Sequence, residues 1–149
     1  MSKFSFQKPV VHLPKPKEYL ITADTLSALV RKSYPGITMY LWDYYYYYIG
    51  HEDWGKVFKE VLLNQPKYTI SKMDCENFAM LTSARVNSVF EINTCAIAIG
   101  QSPQGQHGYN LFLSLVDDTP ELFILEPQTG MVYPITEPEG YIPELLIFS

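Results

Sequence analysis

His107-Gly108-Tyr109-Asn110-Leu111-Phe112-Leu113-Ser114-Leu115-Val116 alternates with a period of two. Successive side chains of an extended strand point to opposite faces. His107, Tyr109, Leu111, Leu113 and Leu115 therefore share one face, and Asn110, Phe112, Ser114 and Val116 the other. Downstream, Asp117-Asp118-Thr119-Pro120 is a turn, rich in the residue types that favour one. Glu121 to Glu126 then reads as the returning strand, and Pro127-Gln128-Thr129-Gly130 turns the chain into Met131 to Ile135. Leu145 to Phe148 reads as a last strand. On the other side of the opening stretch, Cys95 to Ile99 is a short apolar strand closed by Gly100, and Gln101 to Gln106 is a loop.

Before Phe90 the period is helical. Asp74 opens a helix to about Phe90, with Cys75, Phe78, Ala79, Thr82, Val86 and Val89 on its inward face. Asp53 caps a second helix in which Trp54, Val57, Phe58, Val61 and Leu62 follow the amphipathic spacing, and Pro66 stops it. Thr22 caps a third, running to about Ser33 and ended by Pro35-Gly36. Between them lies Met39-Tyr40-Leu41-Trp42 and the unbroken run Tyr44 to Tyr48. Tyrosine satisfies either period, and the position between helical segments points to helix. Helices first and an antiparallel sheet afterwards is the order of an α+β fold. Residues 1–149 read as a single domain, with 1–18, carrying Pro9, Pro14 and Pro16, as an extended N-terminal arm.

Composition narrows the function classes. With 47% hydrophobic and 18% charged residues the chain can build a core. A net charge of -5 without a basic stripe argues against nucleic acid or an anionic membrane as partner. No apolar run approaches the roughly 20 residues a membrane helix needs, and the first residues lack the apolar core of a secretory signal. Two cysteines, Cys75 and Cys95, fit free thiols in a reducing compartment. The expected location is the cytoplasm or a phage or virus particle.

The chemistry-bearing segment is Asp74-Cys75-Glu76-Asn77-Phe78-Ala79. A cysteine in the first helical turn faces unpaired N–H groups and the positive end of the helix dipole, both of which favour the thiolate. Asp74 and Glu76 push the other way, so lowering the thiol pKa requires a cationic partner. His107, at the start of the opening strand and followed by Gly108, is the candidate. The imidazole would take the thiol proton and return it to a leaving group. Glu126, at the end of the returning strand, reaches the beginning of the His107 strand and would orient the ring, with Gln128 as the runner-up. One cysteine and one histidine far apart give no zinc signature, and no cofactor is expected.

These segments together, with His107-Gly108-Tyr109-Asn110 and Leu125-Glu126-Pro127-Gln128-Thr129-Gly130, resemble the transglutaminase-like cysteine peptidases of bacteria and their phages, within the papain-like superfamily. The resemblance covers Asp74 to about Ile135. It implies a nucleophile helix packed on an antiparallel sheet, with Cys75 as nucleophile, His107 as base and acid, and Glu126 as orienting carboxylate. The expected function is a thiol hydrolase or acyltransferase, acting on an amide or thioester carbonyl of a protein or peptide substrate. Water as acceptor would make it a peptidase or amidase, an amine a transglutaminase. Gln128, Asn77 and Tyr109 are the expected substrate contacts. The alternative is a non-catalytic module on the same fold that recognises a protein or glycan through its Tyr-rich surface.

Overall fold

Tyr46 and Tyr48 are buried while Tyr45 and Tyr47 are exposed, so the tyrosine run is extended and belongs to a strand. The computed structural model describes residues 13–136 and 140–149. In chain order the elements are β1 (Glu18–Thr22), α1 (Ala23–Ser33), β2 (Thr38–Leu41), β3 (Tyr45–Gly50), α2 (His51–Val61), α3 (Cys75–Phe90), β4 (Cys95–Ser102), β5 (Gly105–Val116), β6 (Thr119–Glu126), β7 (Met131–Pro134) and β8 (Ile142–Phe148). All eight strands join one curled sheet.

β5 is the hub of that sheet. β4 runs antiparallel to it over Gly105–Phe112, and β6 over Asn110–Val116. β3 meets Ser114 and Leu115, residues that β6 also pairs. A strand has two edges, so β3 takes up the β4 edge where β4 ends. β1 extends the sheet beyond β3, β7 beyond β6, and β8 and β2 beyond β4. The β3–β5 and β2–β8 pairs are parallel.

The period of two along β5 sorts the core into two layers. Tyr109, Leu111 and Leu113 pack with Leu26 and Val30 of α1, with Tyr46 and Tyr48, and with Leu146 and Phe148. Phe112 faces the other way, among Trp54, Val57 and Phe58 of α2, Val86 and Phe90 of α3, and Leu125. Burying each such side chain contributes about 1.5–3 kcal/mol. The Trp54 indole also donates to the Leu113 carbonyl at 2.8 Å, so its polar atom is not left unpaired.

Several expectations need correction. The α+β reading, with helices first and a purely antiparallel sheet in a papain/transglutaminase-like arrangement, gives way to a predominantly β fold around a mixed, curled sheet. The cause lies in the N-terminal half, where β1, β2 and β3 alternate with helices. Tyr44–Tyr48 is no helix, because a strand lets alternate rings enter the core and leave it. Helix α2 begins at His51 with Gly50 as its cap, which places Asp53 inside the first turn. β4 and β5 run on into the expected Gln101–Gln106 loop, leaving a two-residue connection between Ser102 and Gly105. Of the expected arm, residues 1–12, including Pro9 and His12, lie outside the described residues, and Glu18 already belongs to β1.

Candidate functional site

Asp74 precedes α3, and its backbone N–H donates to the Asn77 Oδ1 at 3.2 Å while its Oδ2 accepts from the Ser71 N–H at 3.0 Å. Asn77 is thereby committed to capping the helix. Cys75, the first helical residue, is half-buried. Its thiol donates to the Glu76 Oε2 at 3.3 Å. Burial, with that carboxylate adding to it, pushes the thiol pKa up from its ordinary value. The Gly108 N–H pulls in the opposite direction and does not prevail. Glu76 is held below the ordinary carboxylate range, first by its own backbone N–H and then by the Cys75 thiol, with a smaller pull from His107.

Gly108 is where β5 touches α3. A Cβ built there would lie 2.6 Å from the Glu76 Cα and 2.7 Å from the Glu76 nitrogen, so only glycine allows the close approach. The side-chain direction of residue 108 therefore points at α3, and that of His107 leaves the opposite side of the strand. There His107 Nε2 and Glu126 Oε2 make a 2.6 Å hydrogen bond with both side chains mostly buried. Tyr141 donates to the same carboxylate oxygen at 3.5 Å, and the Gln128 N–H to the other at 3.4 Å. Burial, helped by Glu126, pushes the Tyr141 hydroxyl up to about 12.

Around this pair opens a cleft of about 610 Å³, bounded by Tyr68, Gln104, Gln128, Thr129, Tyr133 and Tyr141. The turn at Pro127–Gly130 shapes one wall, closed by the Gly130 N–H to the Glu126 carbonyl at 2.8 Å, with Gly130 at φ +76°. The sheet thus unites His107, Glu126 and Gln128 in one cavity. Cys75 stays at the start of α3 with its sulfur on Glu76, and no hydrogen bond links it to the imidazole among the described residues. Tyr109 is fully buried, its ring 6.1 Å from that of His107. Cys95 is buried in β4, which pushes its thiol pKa far up. The sequence reading missed Tyr68, Gln104, Tyr133 and Tyr141. They come from four separate segments, and no local pattern marks them. Among the described residues no group of three His, Cys, Asp or Glu is placed to hold a metal. No helix there is long and apolar enough to cross a membrane.

No family model and no curated protein matches the chain. Solved structures do. A PSL1a-E64 complex superposes with a TM-score of 0.69 at 20% identity, over 87% of this chain and 50% of that one. Polyporus squamosus lectin, bound to the human-type influenza-binding epitope Neu5Acα2-6Galβ1-4GlcNAc, superposes with a TM-score of 0.67 at 18% identity, over 87% of this chain and 49% of that one. At such identities the likeness is one of fold, and the chain spans about half the length of each neighbour. The neighbours found are these rather than transglutaminase-like cysteine peptidases, so that resemblance is withdrawn, and with it the hydrolase and thiol-protease expectation and the protein or peptide substrate that it implied.

Proposed function

We propose that the chain is a non-catalytic glycan-binding module and that a sugar seats in the cleft beside His107 and Glu126. The observation that carries this is the lining of the cleft, where the rings of Tyr68, Tyr133 and Tyr141 stand among side chains that donate and accept hydrogen bonds. A pyranose has an apolar C–H face and hydroxyl edges. A tyrosine ring meets the first, and amides and carboxylates meet the second. Glu126 is already oriented by His107, so accepting a hydroxyl costs little rearrangement. The fold shared with Polyporus squamosus lectin, solved with a sialylated trisaccharide, supports the reading.

The test is calorimetric titration of the full chain with Neu5Acα2-6Galβ1-4GlcNAc, alongside a glycan array. Saturable binding of a sugar, weakened roughly tenfold by Tyr133→Ala and by Glu126→Gln, is the expected result. An array without a single bound glycan would reject the module, and affinity indifferent to both substitutions would remove the sugar from this cleft.

A second reading concerns Cys75. One neighbour is a complex with E64, and here the Gly108 N–H is turned toward a half-buried thiol. We propose that E64 binds this chain at the start of α3; no turnover is assigned to the site. Intact-mass measurement after incubation with E64 decides it. The expected result is a mass gain of one whole E64, the Cys75 sulfur bonding to an epoxide carbon as that C–O bond breaks and the freed oxygen takes a proton; Cys75→Ala abolishes the gain, and an unchanged mass would dismiss the reading.

A further inference from the structure

The outward side of β3 carries a second cavity, of about 400 Å³, whose lining includes Asp43, Tyr44, Tyr45, Tyr47, Glu91 and Asn93. Tyr45 and Tyr47 are two residues apart and present their rings side by side along the strand. Tyr44 stands edge-on to Tyr45, with centroids 4.7 Å apart at 84°. Three exposed rings in one wall are costly to leave in water without a use.

The wall is also held in place. Asn93 accepts the Tyr47 N–H on its Oδ1 at 2.7 Å and donates from Nδ2 to the Tyr45 carbonyl and the Asp43 Oδ2, each at 3.1 Å. The Asp43 N–H donates to the hydroxyl of buried Tyr46 at 3.0 Å. The Asp43 carboxylate is therefore fixed beside the rings. Glu91, the left-handed C-cap of α3 at φ +60°, brings a second carboxylate to the rim. Lys15 reaches its Oε2 at 3.3 Å from outside the lining, in an exposed ion pair of little strength.

The charged groups of the lining are thus both acidic, set against tyrosine rings. The faces of aromatic rings carry the negative end of a quadrupole and attract cations. We propose that this cavity binds an organic ammonium group, its alkyl substituents against Tyr45 and Tyr47 and its charge toward Asp43 and Glu91. A phosphate or carboxylate ligand would meet the two carboxylates and be repelled. The overall charge of -5 favours the approach of a cation. This inference does not depend on the glycan reading, which concerns the other cavity.

The test titrates the full chain with choline and, separately, with 3,3-dimethylbutan-1-ol, an uncharged compound of nearly the same shape. Nuclear magnetic resonance shifts or calorimetry report binding. Saturable choline binding, at least about tenfold tighter than the alcohol, is expected. Tyr47→Leu and Asp43→Asn should each weaken choline several-fold while leaving the thermal melt in place. Equal affinity for the alcohol, or no saturation by choline, overturns the proposal on the unmodified protein, whatever the variants do. Choline binding unaffected by either substitution overturns it as well.

Discussion

His107 and Gly108 are neighbours on β5, yet one meets a carboxylate and the other a helix. On one side the imidazole holds the Glu126 carboxylate at 2.6 Å within a tyrosine-lined cleft. On the other, the glycine lets the start of α3 settle on the strand, and the Cys75 thiol there bonds to Glu76. A motif read along the chain joins the histidine and the cysteine helix into one site. In the folded chain the Glu126 carboxylate meets the imidazole, while the Glu76 carboxylate meets the sulfur and still feels the pull of His107. The order cysteine, histidine, carboxylate along the chain therefore does not by itself say which hydrogen bond the sulfur makes. The electrostatic outcome depends on which carboxylate the sulfur meets.

The largest expected effect lies in the core beneath the α3 side of β5. Phe112→Ala, on the α3 side, removes a ring packed within about 5–6 Å of Trp54, Phe58 and Phe123. It should cost about 4 kcal/mol in urea unfolding. Loss of less than about 1 kcal/mol would mean that α2 and α3 are not seated on β5 as described.

Gly108→Ala attacks the contact itself. The new methyl must displace the first turn of α3, and a cost of about 2 kcal/mol is expected. An unchanged melting temperature would show that the helix approaches less closely.

On the cleft side, Glu126→Ala strips His107 of its partner in a mostly buried setting. A loss of about 1–2 kcal/mol should appear in the same unfolding experiment, and Glu126→Gln should cost less. Equal costs for the two would assign the whole effect to the lost carboxylate and none to packing, because glutamine keeps the side-chain volume.

The gentlest test leaves the fold alone and follows iodoacetamide labelling of Cys75 with pH. A raised thiol pKa keeps the neutral form to higher pH, so labelling should be slower than for a free cysteine at neutral pH and climb only in alkaline solution. Glu76→Gln removes one cause of the rise and should shift the climb to lower pH. Fast labelling at neutral pH that disappears in His107→Ala would restore the thiol–imidazole pair and undo the comparison.

Much of the local structure was legible. Thr22 accepts from the Thr25 N–H as a helix cap, α3 starts at Cys75, and the β5 alternation sorts its side chains as the pattern indicates. These rest on spacing and capping, which act over a few residues. The tyrosine run was illegible, since its side chain offers no preference between periods. Pairing of Tyr45–Ile49 with β1, and of Ile49 and Gly50 with β5, makes it a strand. The short edge strand β2 had no pattern to read, because it gains its shape by parallel pairing with β8 at the far end of the chain. The cleft had the same difficulty, with Tyr68, Gln104 and Tyr141 arriving from distant segments.

By itself the sequence determined the helices, the β5–β6 hairpin and an acidic chain without a basic stripe. Each follows from periodicity, turn chemistry or net charge, quantities that adjacent residues carry among themselves. Only the tertiary structure sets the mixed, curled sheet, the hydrogen bonds of Cys75 to Glu76 and of His107 to Glu126, and the two tyrosine-lined cavities. Those depend on which strand edges meet and which side chains share a face, and residues far apart along the chain set both.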